Sequence, residues 1–317
     1  MKKVILFLFL SISFTFAGEN AGLAGSFTRL GLGARAIAMG NTGVAAPARG
    51  YSFYYNPALS GMQEQKVFTN SYNFLSQDRH IYFLGFSMKV PPGAGLSVGW
   101  LKSGTSDIPS HNSIGNNTGE VNHHAHGVYA SFSRQFSERF SVGLTIKALF
   151  EFINDGTKDF DYESKGVGGD IGVFYKASED ISVGLVYKDI GSKLKANTEK
   201  LFELGGTTID DFPKLIRAGV FYKTPFEGIN FAYDFEISST EEYSNHIGFE
   251  TIHGRNLALR LGLIEFLGED TKRDIQFVAG AGFDFKLYTF HSNLDYAFIG
   301  PKFDEGSSHL FSWEIYF

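Results

Sequence analysis

Three closely spaced histidines are the residues in this chain best suited by type to bind a metal ion. Imidazole nitrogens bind zinc, usually together with further Cys, His or carboxylate ligands. Adjacent histidine side chains diverge, and no carboxylate stands at a fixed spacing to complete a site. We therefore expect a solvated loop edge here, with no metal site and no cofactor. The residues are His123, His124 and His126.

Catalytic and nucleotide-binding patterns in the sequence are also incomplete. His246, His291 and Asp295 offer acid–base chemistry, but no spacing pairs a nucleophile with a base. The sequence GLGARA at 31–36 superficially fits a dinucleotide-binding loop. It lacks a preceding strand and an acidic residue at the distance that a βαβ unit requires. We therefore expect no catalytic residues, and the protein is predicted not to be an enzyme.

The composition favours many aromatic-rich strands joined by turns. The 317 residues include 37 Gly, 33 Phe and 15 Tyr, but only 4 Met and no Cys. Aromatic residues favour strands, and glycine is enriched in turns. Without cysteine there is no disulfide framework and no thiolate metal site. The formal net charge of -6 provides no basic surface, so we exclude a nucleic-acid partner.

The N-terminus has the features of a cleaved signal peptide. Lys2 and Lys3 precede an uncharged apolar run at 4–16, which is followed by Ala17. This run is shorter than the roughly 20 residues that a membrane-spanning helix needs. No later stretch is long and apolar enough for such a helix, so a membrane location would require strands. The predicted division is signal peptide 1–17, N-terminal hatch or plug 18–65, and β-barrel 66–317.

Beyond residue 65 the dominant pattern is alternation of apolar and polar residues. Period two places successive side chains on opposite faces of a strand. In 140–152 one face is almost purely apolar, and the other carries Lys147 and Glu151. A soluble β-sandwich also alternates, so alternation alone leaves both architectures open. We predict strands at 66–74, 79–89, 95–103, 125–135, 139–152, 167–177, 180–189, 214–223, 228–238, 244–253, 257–266, 273–286, 288–298 and 308–317.

Strand lengths and loop lengths favour a membrane barrel over the sandwich. Most of the predicted strands have the roughly 9 to 11 residues that a tilted membrane strand needs. Tight turns alternate with mostly longer loops, of which the longest are 104–124, 153–166 and 190–213. Outer-membrane barrels have short periplasmic turns and longer outer loops. The predicted fold is an all-β, transmembrane, antiparallel up-and-down β-barrel of about fourteen strands with an N-terminal hatch.

The last strand supports a location in the bacterial outer membrane. Trp313, Ile315 and Phe317 share one face of this strand, and Phe317 is the final residue. A terminal aromatic strand resembles the recognition signal of the outer-membrane assembly machinery. We therefore expect that machinery and outer-membrane lipid as partners.

Acids and bases are predicted in nearly equal numbers on the inner face of the barrel. This balance favours cross-strand pairs over a ring of one sign that selects ions. A barrel of fourteen strands should leave a central hole. The segment 18–65, which is rich in Gly and Ala and carries little charge, is the candidate plug. The predicted inner polar network consists of Lys147, Glu151, Asp234, Glu236, Arg260 and Asp284.

The candidate plug contains a spaced set of short motifs. They are GARA at 33–36, MG at 39–40, VA at 44–45 and YNPA at 55–58. This set resembles the N-terminal signature of the PorV/PorQ family, which belongs with the FadL-like outer-membrane barrels. An Asp-Asp pair commonly precedes the Asn-Pro-Ala element in that family, whereas PARG stands at 47–50 here. The motif residues are Gly31, Gly33, Ala34, Arg35, Gly40, Asn56, Pro57 and Ala58.

The resemblance implies a fourteen-stranded barrel with an N-terminal hatch and leaves two functions open. PorV and PorQ proteins assist type IX secretion at the cell surface. The first expectation is therefore a non-enzymatic, secretion-associated or surface-docking component whose partners are secreted or surface proteins. FadL-like members move hydrophobic molecules through a hatch or a lateral opening in the wall. The alternative is therefore a transporter with a hydrophobic small-molecule ligand.

Overall fold

The computed structural model describes residues 23–112, 114–155, 161–199, 201, 205–254, 256–267, 273–301 and 306–317. The predicted signal peptide, 1–17, and the start of the predicted plug, 18–22, lie outside these ranges. Within the ranges, none of the helices has the length and apolar character needed to cross a membrane.

Most of the described chain forms one antiparallel β-sheet, preceded by four short helices. The helices are a 3-10 helix at Ser26–Thr28, α1 (Ala34–Ala38), α2 (Ser52–Tyr55) and a second 3-10 helix at Pro57–Met62. The strands in the described ranges are β1 (Val67–Phe74), β2 (Arg79–Val90), β3 (Ala94–His111), β4 (Asn117–Ser137), β5 (Phe140–Asn154), β6 (Asp161–Lys176), β7 (Ile181–Ile190), β8 (Lys193–Asn197), β9 (Thr207–Asp211), β10 (Leu215–Lys223), β11 (Ile229–Ser238), β12 (Tyr243–His253), β13 (Leu257–Leu267), β14 (Arg273–Leu287), β15 (Phe290–Ile299) and β16 (Ser308–Tyr316).

Fourteen of these strands close into a barrel. Consecutive strands pair from β1 to β7 and from β10 to β16, β7 pairs with β10, and β1 pairs with β16. β8 and β9 form a hairpin that pairs with β6. The predicted closed antiparallel barrel of fourteen strands is confirmed. The end that carries the turns 91–93, 138–139, 177–180 and 288–289 is called the short-turn end below, and the opposite end is called the long-loop end.

The outward face of the barrel is apolar, and much of the inward face is polar. In β13, Leu261 is 65% exposed, whereas its neighbour Arg260 is 3% exposed. β5 likewise exposes Ile146 and buries Lys147. A soluble protein buries most of its large apolar side chains, so this inverted pattern is the one expected where lipid covers the outer surface.

Two of the predicted long loops contain strands. β3 extends to His111 and β4 begins at Asn117, so the predicted loop 104–124 is largely a hairpin. The predicted loop 190–213 contains β8 and β9. Most side chains near the tip of the first hairpin are exposed on both faces, so no apolar alternation marks it in the sequence.

The barrel wall is irregular where the pairing partner of β6 changes from β7 to β8. The pairing register of β6 with β7 shifts between Gly169 and Ile171. At Lys165, nearer the long-loop end, β6 pairs with β8 instead. Asp189 of β7 lies at this transition with a φ of 61°, which is uncommon for a residue other than glycine. The ladder is therefore interrupted over a short stretch of the wall.

Candidate functional site in the barrel interior

The N-terminal segment, residues 23–65, packs against the inward faces of the strands. Its helix α1 contacts β13 to β16, and its second 3-10 helix contacts β2 to β6. Asn56 fixes the start of that 3-10 helix, because its side-chain oxygen accepts a hydrogen bond from the Ala58 N–H at 3.1 Å. The Asn56 amide also donates to the carbonyl oxygens of Val44 and Val173, at 2.9 and 3.0 Å. Asn56 thereby joins two parts of the segment to β6.

Two motif glycines allow α1 to lie close to the wall. Gly33 precedes the helix with a φ of 75°, and Gly40 follows it with a φ of 73°. A Cβ on Gly40 would lie 2.3 Å from the carbonyl oxygen of Ile247 in β12. His246 Nδ1 lies 2.7 Å from the Gly40 carbonyl oxygen. This histidine, a catalytic candidate by sequence, is thus placed as a contact of the N-terminal segment.

Two further motif residues fix the segment through their backbone. The Gly31 N–H donates to the Tyr54 hydroxyl at 3.1 Å within the segment. The Ala34 N–H donates to Ser312 Oγ of β16 at 2.9 Å. Pro57 and Ala58 are the first two residues of the second 3-10 helix, and both are buried.

A buried ion-pair chain joins α1 to three strands. Arg35 donates to both carboxylate oxygens of Glu250, at 2.9 and 2.8 Å. The same carboxylate accepts from Arg260 Nε at 2.8 Å, and Arg260 Nη1 lies 2.6 Å from Asp295 Oδ1. Two arginines thus share Glu250 in a site with almost no solvent exposure. Such buried ion pairs fix the relative positions of the elements that carry them, because separating a pair leaves a buried charge without a partner.

A second anchor binds the chain just after α1. Asp234 Oδ2 accepts hydrogen bonds from the N–H groups of Gly43 and Val44, at 2.8 and 3.2 Å. Arg217 Nε lies 3.3 Å from the same oxygen, and Arg217 Nη1 lies 3.6 Å from Glu236. A carboxylate of β11 therefore holds the backbone of the N-terminal segment directly.

The third anchor involves Arg49, in the stretch where the sequence departs from the PorV/PorQ pattern. Arg49 Nη1 lies 2.8 Å from Glu314 Oε2, and the Gly50 N–H donates to Glu314 Oε1 at 2.9 Å. Burial raises the pKa of the nearby Tyr51 phenol, and the Glu314 carboxylate raises it further. Tyr51 is therefore neutral beside this ion pair.

Another buried ion cluster ties the wall to itself beside the interruption. Lys147 Nζ lies 2.7 Å from Asp170 Oδ1 and 2.8 Å from Asp189 Oδ1. All three side chains are almost fully buried. Lys188, next in the chain to Asp189, places its ammonium 4.3 Å from the centroid of the Tyr54 ring. The cluster therefore fixes β5, β6 and the end of β7 to one another.

The remaining two residues of the predicted inner network lie near opposite ends of the barrel. Glu151 Oε1 lies 2.7 Å from His123 Nε2 near the long-loop end. Asp284 is exposed near the short-turn end and accepts a hydrogen bond from Asn293. The six residues predicted as one network are thus distributed over several separate clusters.

Much of the interior around α2 is apolar and aromatic. Phe53 and Tyr54 of α2 have ring centroids 6.5 and 6.3 Å from that of Tyr129 in β4. Phe83 of β2 lies 6.2 Å from Phe53 by the same measure. The cluster also contains Phe27, Leu32, Ala36, Tyr51, Tyr55, Ile81, Leu101, Ala125, Leu149, Leu194 and Phe212.

A shallow apolar recess, whose outward lining side chains remain 41–63% exposed, lies on the outward face at the interruption. Its volume is about 450 Å³, and it lies between β5, β6 and the end of β7. Asp170, which is ion-paired with Lys147 and buried, forms part of the inner border of the recess. Its outward-facing apolar lining is Leu144, Ile146, Val167, Ile171 and Ile190.

The three clustered histidines lie in strand β4, not at the edge of a loop. His126 stacks on Trp100 with ring centroids 5.8 Å apart, and His123 lies beside Glu151. Of the other two catalytic candidates, Asp295 is ion-paired with Arg260, and His291 stands in β15 opposite Lys286 and Tyr316. Across the part of the chain that the structure describes, no group of three or more His, Asp or Glu side chains could hold a metal ion.

The aromatic C-terminus lies in the closing strand. Trp313 and Phe317 face outward on the barrel. Phe317 packs on Phe290 with ring centroids 5.1 Å apart, and its N–H donates to the Lys66 carbonyl oxygen at 2.9 Å. Ile315 pairs with Phe68 of β1. Recognition by the assembly machinery stays a prediction.

The fold is similar to that of several solved barrel structures. The CymD monoaromatic hydrocarbon channel is 16% identical with a TM-score of 0.65, and the match covers 92% of this chain and 98% of that one. The Pseudomonas putida toluene transporter TodX is 14% identical with a TM-score of 0.63, covering 90% and 97%. A Pseudomonas aeruginosa FadL homologue is 10% identical with a TM-score of 0.61, covering 90% and 97%. These similarities are similarities of fold.

No family model and no curated protein matches the chain. The FadL-like part of the sequence resemblance fits the fold. None of the three similar structures named above is described as a PorV or PorQ protein, so the narrower resemblance to that family stays a prediction.

Proposed function

We propose that the protein is an outer-membrane channel for hydrophobic small molecules and that its N-terminal segment acts as a hatch. The interrupted stretch of wall between β6 and β7 carries this proposal. The aromatic cluster lies in the interior, and the apolar recess lies on the outward side of the interruption. A hydrophobic molecule would meet apolar surfaces on both sides, at a place where few ladder hydrogen bonds join β6 to β7 and the Lys147–Asp170–Asp189 ion cluster joins the strands instead.

The outward face supports a membrane location. Large apolar side chains are exposed along the strands, and such a surface is stable where lipid covers it. In the described part of the interior, charged groups form pairs of opposite sign and no ring of one sign, so selection of ions is not favoured.

The fold similarity supports transport over secretion. The similar structures named above are described as a hydrocarbon channel, a toluene transporter and a FadL homologue, and none is described as a secretion component. Hydrophobic compounds, including monoaromatic hydrocarbons, are therefore the substrate class proposed for this chain.

Uptake into whole cells tests the proposal. A Gram-negative host that lacks its own hydrophobic-compound channels would express the full chain, and uptake of radiolabelled toluene and of a labelled sugar would be measured. We expect faster toluene uptake than in cells with an empty vector, with sugar uptake unchanged. Equal toluene uptake in the two strains, with the barrel present in the outer membrane, would overturn the transport proposal.

A further inference from the structure

Two lysines face each other across the wall just beside the apolar recess. Lys165 of β6 and Lys195 of β8 are direct partners in the strand register. Like charges directly opposite each other destabilise a strand pair. Both side chains are exposed, Lys165 by 67%, so an external anion can reach them. The arrangement is therefore one that a bound anion would stabilise.

Among the residues that the structure describes, no acidic residue stands directly opposite Lys195 in the strand register. Glu163 Oε1 lies 3.7 Å from Lys165 Nζ, and both groups are well exposed, so this pair contributes little. Asp211 of β9 stands opposite Lys193, not opposite Lys195. The register neighbours of Lys195 are Lys165 on one side and Ile209 on the other.

The recess and the lysine pair lie side by side, as the acyl chain and the head group of a lipid do. Val167 lines the recess and lies two residues from Lys165 on the same strand face, about 7 Å along β6. Lys165 is on the long-loop side of Val167, which is the side where the head groups of the outer leaflet would lie. The apolar lining fits an acyl chain, and the two ammonium groups fit an anionic head group.

We propose that Lys165, Lys195 and the recess form a binding site for a phosphate-bearing membrane lipid. The acyl chain occupies the recess, and the phosphate lies between the two ammonium groups. The site shares the recess with the transport path proposed above, but binding of a lipid there requires no molecule to cross the wall.

Native mass spectrometry of the full chain, released from nanodiscs, tests this site. Phosphatidylglycerol is the anionic probe, and phosphatidylcholine is the zwitterionic reference. We expect the wild-type barrel to retain phosphatidylglycerol preferentially. K165Q/K195Q should reduce that retention at least fivefold, and V167W, which fills the recess without changing charge, should reduce it as well. K102Q/K214Q removes two other lysines and should retain lipid as the wild type does.

Two results would overturn the proposal. One is equal phosphatidylglycerol retention by K165Q/K195Q and the wild type. The other is full retention by V167W together with displacement of the lipid by inorganic phosphate, which would indicate a phosphate site that does not use the recess. Heat-dependent gel migration verifies that each variant is folded. Lipid retention and toluene uptake are measured in separate assays, so failure of the lipid site and failure of the transport proposal are distinguishable.

Discussion

At the scale of single residues, the N-terminal segment is held by buried carboxylates of the barrel. Arg35 and Glu250 are 215 positions apart in sequence. Alternation predicts that Glu250 faces inward, but it cannot identify the partner, because the partner is determined by how the segment folds back. Arg49 stood out in the sequence only as a departure from a family motif, and Glu314 is its partner in the structure.

Removing the shared carboxylate should destabilise the whole barrel. E250Q leaves Arg35 without its ion partner and weakens the site of Arg260. We expect the free energy of unfolding to fall by about 3 to 5 kcal/mol, because buried charges lose their compensation. Urea unfolding in lipid vesicles measures the change. E138Q, in an exposed turn, is the control and should remain within about 0.5 kcal/mol of the wild type; an equally small effect of E250Q would contradict the anchor.

Gly40 should be intolerant of a side chain for two reasons. Its backbone conformation favours glycine, and a Cβ would also collide with the barrel wall. Gly40 and Gly115 both have positive φ, 73° and 83°, so alanine at either position costs about 1 to 2 kcal/mol. Only at Gly40 would the Cβ meet a backbone atom, the Ile247 oxygen. G40A should therefore lose clearly more unfolding free energy than G115A in the same vesicle assay. Equal losses would show that α1 does not depend on this close approach.

At the scale of elements, alternation located the fourteen barrel strands but neither the β8–β9 hairpin nor the irregularities of the wall. Both Lys188 and Asp189 are buried, although they are neighbours in sequence. A strict period of two assigns one of them to the outward face, so the interruption of the wall was not predictable from the pattern. The positive φ of Asp189 is the physical reason, since it changes the phase of the strand.

A disulfide between the segment and the wall should stop transport if the hatch must move. Ser60 Oγ of the second 3-10 helix lies 2.7 Å from Ser97 Oγ of β3, and the chain has no cysteine of its own. S60C/S97C should form a crosslink under oxidation, abolish toluene uptake and regain it on reduction.

The matched control crosslinks the wall to itself. Ser87 Oγ and Ser97 Oγ lie 2.8 Å apart on the paired strands β2 and β3. S87C/S97C should therefore oxidise without affecting uptake. Unimpaired uptake by the oxidised S60C/S97C barrel would show that transport does not require this helix to leave the wall.

At the scale of the whole molecule, the inverted distribution of polarity distinguishes a membrane barrel from a soluble one. The exposure of Leu261 beside buried Arg260 is repeated along the strands. Apart from the interruption beside Asp189, each barrel strand in the described ranges pairs with two neighbours, which satisfies backbone hydrogen bonding where water is absent. These two properties together make a bilayer the environment in which this fold is stable.

An outward arginine should therefore be costly only at membrane depth. Leu261 lies in the middle of β13, and Leu257 lies outward at its short-turn end. In a bilayer, L261R should cost about 2 to 4 kcal/mol of unfolding free energy and L257R about 0 to 1 kcal/mol, since the penalty falls toward the interface. A soluble barrel would tolerate both substitutions equally, because both leucines are already exposed. Urea unfolding of the two variants in lipid vesicles therefore distinguishes the environments, and equal stability of the two would exclude lipid at the level of Leu261.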